Sequence, residues 1–152
     1  MSPVPAPLHP CTPLRTPRGS TVPVDDDLVP LVGLLWERGI GTRSCCQDYG
    51  DLLALHAPGL PAGDPGWVAF FTGRVWVEID ADATDTLMRV LVRDGELRLA
   101  MSQWGLPGSW MWVRPVLPDL VGEGARAVGS THLFFPREHL DQVVRVLRSA
   151  GH

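Results

Sequence analysis

Between Val75 and Asp80 the side chains alternate: Val75, Val77 and Ile79 are apolar, and Trp76, Glu78 and Asp80 fall between them. A period of two belongs to an extended strand, whose successive side chains leave on opposite faces, so this segment lies in a sheet with two unlike faces. Trp67 to Phe71, separated from it by Thr72-Gly73, reads as the other arm of a hairpin. Ile40 to Gln47, Glu96 to Ala100, Ser109 to Leu117 and Thr131 to Phe135 read as further strands. Three segments show helical spacing instead. Leu28, Leu31, Val32, Leu35 and Trp36 form one stripe, closed by Gly39. Leu87, Val90 and Leu91 form a second, between Ala83 and Arg93, capped by Asp82 or Thr84 and ended by Gly95. Leu140, Val143, Val144 and Leu147 form a third, opened by Pro136. Pro30 is tolerated only in a first turn, which makes Asp26 or Asp27 the expected cap of the first helix. Asp48 to Gly66, rich in Gly and Pro, reads as a loop, and no internal repeat stands out. The expected fold is α+β, with three helices packed on one mixed or mainly antiparallel sheet of about five strands.

At 152 residues the chain has room for one domain. It is 45% hydrophobic and 20% charged, which excludes a wholly disordered chain. The net charge of −4 and the absence of a basic block make nucleic acid an unfavoured partner. Each apolar run is interrupted short of the ~18 residues of a membrane span, so no membrane partner is expected. Seven prolines in residues 1–23 mark that segment as a disordered Pro-rich tail, leaving 24–150 as a single α+β domain. The tail has no apolar core of the kind a secretory signal needs, so the expected location is cytoplasmic, with reduced thiols. The chain's three cysteines, one of them (Cys11) in the tail, do not make a disulfide framework. All 13 basic residues are Arg, and Lys and Asn, both with A-rich codons, are absent. That bias points to a high-GC genome, such as that of an actinobacterium or one of its phages or mobile elements.

The most unusual local sequence is Thr42-Arg43-Ser44-Cys45-Cys46-Gln47-Asp48, at a strand end before a long loop, where sites tend to be built. In a strand, Cys45 and Cys46 point to opposite faces, so one is expected in the core and the other exposed. Three readings of Cys46 compete. It is a small buried hydrophobe; or a reactive thiolate, with Arg43 lowering its pKa and His56 or His132 as base; or a metal ligand together with His56, His132 or Asp48, although no Cys-x-x-Cys or His-x-x-x-His spacing supports that.

The stretch Leu28-x-Pro30-Leu31, Leu35-Trp36, Gly39-Ile40-x-Thr42-x-x-Cys45-Cys46-Gln47 resembles a group of small, uncharacterised actinobacterial and actinophage proteins. Their pattern is a capped helix, a Gly turn and Thr-x-x-Ser-Cys-Gln. Cys46 and Gln47 match its Cys and Gln, and Cys45 stands where the pattern has Ser. The resemblance covers about residues 25–48, favours Cys46 over Cys45, and implies no activity.

Six tryptophans are many for one small domain, and Trp104, Trp110 and Trp112 crowd together, with Arg114 next on the Trp112 face. They are either core packing or a stacking platform on which Arg114 holds an anionic group. His132 shares a strand face with Phe134 and is a core or a cleft residue; His9 and His152 fall in tails and read as solvated, and His139 as exposed. Asp25 to Asp27 read as a cap. Glu78 and Asp80 are a solvated edge or a pair of carboxylates suited to acid–base work.

The expectation is a small cytoplasmic ligand-binding protein or cysteine-dependent enzyme, with a cleft between Cys46-Gln47 and the Trp112/Arg114 strand. Cys46 would be nucleophile or thiolate ligand, His132 or His56 the base, Gln47 a hydrogen-bond donor and Arg114 the anion clamp, with Arg43 and Asp48 alongside. One alternative is a non-catalytic interaction or inhibitor protein of phage or mobile-element type in which Cys46 only packs. A third is a Cys/His metal-binding protein. The identity of ligand, cofactor and protein partner stays open at this level.

Overall fold

A computed structural model describes residues 7–56, 59, 64–103, 106, 108–118, 125–127 and 129–150. The described elements are, in chain order, β1 (Cys11–Arg15), β2 (Thr21–Asp25), α1 (Val29–Glu37), β3 (Thr42–Cys46), α2 (Tyr49–His56), α3 (Pro65–Phe71), β4 (Arg74–Asp80), α4 (Thr84–Leu91), α5 (Gly95–Ser102), β5 (Met111–Val113), β6 (Val116–Pro118), β7 (Ala125–Ala127), β8 (Ser130–Pro136) and α6 (Leu140–Ser149). The fold is α+β. Its centre is an antiparallel sheet of order β3-β4-β8-β5, flanked by the two-stranded ribbons β1-β2 and β6-β7.

The alternation in β4 is realised as expected. Val75, Val77 and Ile79 are buried with Leu133 and Phe135 of β8 against apolar stripes of α1, α4, α5 and α6. Trp76 faces the other side, where Phe134, Tyr49 and Met111 meet Leu53 of α2 and Phe71 of α3. Burying each aliphatic side chain stabilises by roughly 1.5–3 kcal/mol, so a one-residue slip of β4, which would exchange Ile79 for Glu78 or Asp80, is strongly opposed.

Several elements differ from the sequence expectation, each for a local reason. Residues 67–71 are helix α3, not a hairpin arm: Asp64 caps it by accepting from Gly66 N at 2.8 Å, Pro65 opens it, and a short aromatic run has no decisive period of its own. Glu96 to Ala100 lie in helix α5, capped by Asp94 through bonds from Glu96 N and Leu97 N, both 3.0 Å, so Gly95 opens this helix rather than ending α4. The expected loop after Asp48 contains α2. Ser109 to Leu117 divides into β5 and β6, and Trp110 precedes the first. The described residues therefore hold six helices and a four-stranded central sheet, where three helices and about five strands were expected.

The expected tail is folded from Cys11 onward. The turn Thr16-Pro17-Arg18-Gly19 is closed by Gly19 N donating to Thr16 O at 2.9 Å, with Gly19 at φ 89°, the three-residue hairpin loop that needs a left-handed glycine. Pro13 faces Pro23 across the ribbon. The flanking bonds Thr16 N to Ser20 O and Asp26 N to Pro10 O place that pair at a non-hydrogen-bonded position, so neither proline removes a needed donor.

One local unit occurs three times. β2, β4 and β8 each run into a three-residue 3-10 turn (Asp26–Leu28, Ala81–Ala83, Arg137–His139) and then a helix. In each, the first N–H of the turn bonds the carbonyl just before the neighbouring strand: Asp26 to Pro10, Ala81 to Gly129, Arg137 to Gly73. The residues carrying this unit are too dissimilar for the repeat to be legible in the sequence.

Candidate metal centre

Four side chains from four separate segments converge where the N-terminal ribbon meets the sheet. Cys46 ends β3, Asp25 ends β2, Asp51 lies in the first turn of α2, and His9 stands just before β1. His9 Nδ1 lies 3.2 Å from Asp25 Oδ2 and 3.8 Å from Cys46 Sγ, while its Nε2 bonds Asp51 Oδ2 at 3.0 Å. One donor atom each from His9, Asp25 and Cys46 falls within 4.8 Å of the other two. The cluster is sheltered: Cys46 is 4% exposed and the His9 side chain 11%.

Backbone groups hold it in place. Asp25 Oδ2 also accepts from Gln47 N at 2.8 Å, locking the end of β2 to the end of β3. The Cys46 thiol donates to Asp48 O at 3.1 Å. Asp48 caps α2 through its Oδ1 from Asp51 N (3.3 Å) and reaches Gly73 N through Oδ2 (3.1 Å). Gly50 is required beside it, because a Cβ there would lie 2.6 Å from the Thr72 backbone.

Electrostatics separates the metal-free form from a thiolate site. Burial pushes the Cys46 thiol up to about 11, with Asp25, Asp48 and Asp51 adding to the rise against the bond to Asp48 O. Burial likewise pushes Cys45 up to about 12. Partial burial pulls His9 down, but its bonds to Asp51 and Asp25 outweigh this and leave it raised above 6.5. Without a cation the group is thus a buried thiol beside an imidazole held between two carboxylates, which favour its protonated form.

The residues singled out in the sequence are dispersed. Cys45 and Cys46 do take opposite faces, but neither is exposed: Cys45 packs against the aliphatic core, and Cys46 is the more buried. Arg43 is turned away from Cys46, to Asp80 Oδ1 (3.1 Å) and Gly129 O (3.1 Å), and does not lower the thiol. His132 lies on β8, two strands from the β3 of Cys46, and is engaged there. Its Nδ1 accepts from Trp76 Nε1 at 3.0 Å, which leaves the proton on Nε2, 3.6 Å from Glu78 Oε2. His56 ends α2, and its side chain lies outside the described residues. Gln47 contributes its backbone N–H, and Asp48 acts as a cap. Glu78 and Asp80 part company, to Ser130 and His132 in one case and Arg43 in the other.

Among the described residues no cleft joins Cys46-Gln47 to Trp112 and Arg114, because β3 and β5 are opposite edges of the four-stranded sheet, roughly 14 Å apart at ~4.8 Å per strand. Trp110 is 2% exposed and stacks on Phe135 at 4.6 Å, with its Nε1 donating to His139 Nδ1, so Trp110 is core and His139 is half-buried. Trp112 packs against the same core, and Trp104 and His152 lie outside the described residues. Among the described residues no helix is long and apolar enough to cross a membrane.

The residues missed were His9, Asp25 and Asp51. A signal existed: Val22 and Val24 alternate with Thr21, Pro23 and Asp25 after a Pro-Arg-Gly turn, the pattern of a strand. Reading it would have taken His9 out of a solvated tail. Asp25, moreover, makes no side-chain cap bond and is free to serve the cluster.

No family model, curated protein or solved structure matches the chain.

Proposed function

We propose that the protein binds a divalent transition metal, Zn²⁺ by preference, through His9 Nδ1, Asp25 Oδ2 and Cys46 Sγ. The observation that carries this is the spacing of the donors. A tetrahedral zinc with bonds of about 2.3 Å to sulfur and about 2.1 Å to nitrogen and oxygen separates S from N by roughly 3.6 Å and N from O by roughly 3.4 Å. The separations here are 3.8 and 3.2 Å. Mixed sulfur, imidazole and carboxylate donors suit zinc better than magnesium or calcium. Asp51 on the far nitrogen of His9 is the outer carboxylate that commonly orients a metal-binding imidazole.

Three protein donors leave a fourth position for water or a small ligand, the arrangement of zinc sites that bind or activate something rather than only brace the fold. A reducing compartment suits this reading, since Cys46 then stays available as a ligand. Binding displaces the Cys46 proton and the Nδ1 proton of His9, so affinity rises with pH.

The test is titration of the metal-stripped full chain with Zn²⁺ by calorimetry and with Co²⁺ by absorption. One equivalent is expected, with sulfur-to-cobalt charge transfer. Cys46→Ser and His9→Gln should each abolish the signal, while Cys11→Ser and Cys45→Ser should spare it. Absence of stoichiometric binding, or binding indifferent to Cys46 and His9, would overturn the proposal.

A further inference from the structure

Along β3, an edge strand of the sheet, a groove runs between the N-terminal ribbon and the sheet. It consists of two depressions of about 610 and 390 Å³ that share Thr16, Trp36, Thr42 and Arg43 in their walls. These volumes are in the range of small-molecule pockets. The two ends differ in chemistry. The larger carries Arg18 and Arg43, with Ser20 and Asp80; the smaller is lined by Val22, Val24, Val32, Cys45 and Trp76.

The side chains between the ends are held in place. Trp36 Nε1 donates to Thr42 Oγ1 at 2.9 Å, which fixes the indole at the junction. Arg43 donates from Nε to Asp80 and from Nη2 to Gly129 O, and its Nη1 has no hydrogen bond among the described residues. Glycine at residue 41 leaves room for this carboxylate, because a Cβ there would run into Asp80 Oδ2. Arg18, in the hairpin turn, makes no ion pair among the described residues. Two guanidinium groups against one carboxylate leave this end cationic.

We propose that this groove binds a small molecule with a flat apolar body and one anionic group, a carboxylate or a phosphate. The anion pairs with Arg18 and Arg43, and the body lies along Trp36 toward the valines. The site shares no residue with the metal cluster.

The probes are 2-naphthoate, 2-naphthyl phosphate and the neutral 2-naphthalenemethanol, titrated into ¹⁵N-labelled protein. The indole Nε1 signal of Trp36 is assigned with Trp36→Phe. Saturable shifts of that signal are expected with one or both anions and not with the alcohol, and the stronger anion identifies the head group. Arg18→Gln, an exposed turn substitution, should weaken binding about tenfold. Absence of a saturable Trp36 shift, an equal response to the alcohol, or binding unaltered by Arg18→Gln would each overturn the proposal.

Discussion

Asp51 bonds Nε2 of His9 at 3.0 Å, on the edge of the ring opposite Asp25 and Cys46. This pair joins α2 to the segment before β1, so the aim of the imidazole depends on two parts of the chain 42 residues apart. The helix that supplies Asp51 is in turn seated by the close approach of Gly50 to Thr72.

Replacing Asp51 by Ala should therefore weaken zinc without removing a ligand. Loss of an outer carboxylate of this kind commonly costs 10–100-fold in affinity, and about tenfold is expected for an exposed partner. Competition titration against a chromogenic chelator gives the measurement, with circular dichroism confirming the fold.

The metal-free protein should lose stability as pH rises through the neutral range. His9 binds its proton more tightly folded than unfolded, because the bonds to Asp51 and Asp25 outweigh the opposing effect of burial. Its contribution is complete below the unfolded value near 6.5 and disappears as pH passes the raised folded value. Urea midpoints from pH 5.5 to 8.5 in chelator should fall more steeply for the wild type than for His9→Gln, and parallel curves would contradict the assignment.

Cys46 should be a poor nucleophile at pH 7. Burial holds its thiol up to about 11, and Cys45 up to about 12, so alkylation of both should lag far behind Cys11 and gain about tenfold per pH unit. Site-resolved mass spectrometry of iodoacetamide labelling provides the rates. Fast labelling of Cys46 at neutral pH would favour the thiolate-enzyme reading instead.

Gly50→Ala should destabilise the fold by about 1–3 kcal/mol, even though alanine is the better helix former, because its Cβ would meet the Thr72 backbone at 2.6 Å. Gly33→Ala in α1, where nothing lies within 4 Å of the added carbon, should instead be neutral or stabilising. Chemical denaturation of the two variants side by side makes the comparison.

Local pattern alone determined the α+β class, the buried face of β4 and the three helices α1, α4 and α6, because period two and period 3.6 are properties of neighbouring residues. Gly39, with φ 73°, ends α1 where its position said it would, letting Ile40 N reach Leu35 O. Short elements were different. In α3 and α5 a capping Asp64 or Asp94 outweighed an ambiguous apolar run. Cys46 was legible as a candidate; its partners were not. His9, Asp25 and Asp51 are brought to it by the β1-β2 ribbon and by α2, and which segments pack together is decided by burial of faces distant in sequence. The same long-range packing put Arg43 on Asp80, His132 on Trp76, and Trp112 at the far edge of the sheet from Cys46. No spacing rule along the chain encodes those distances.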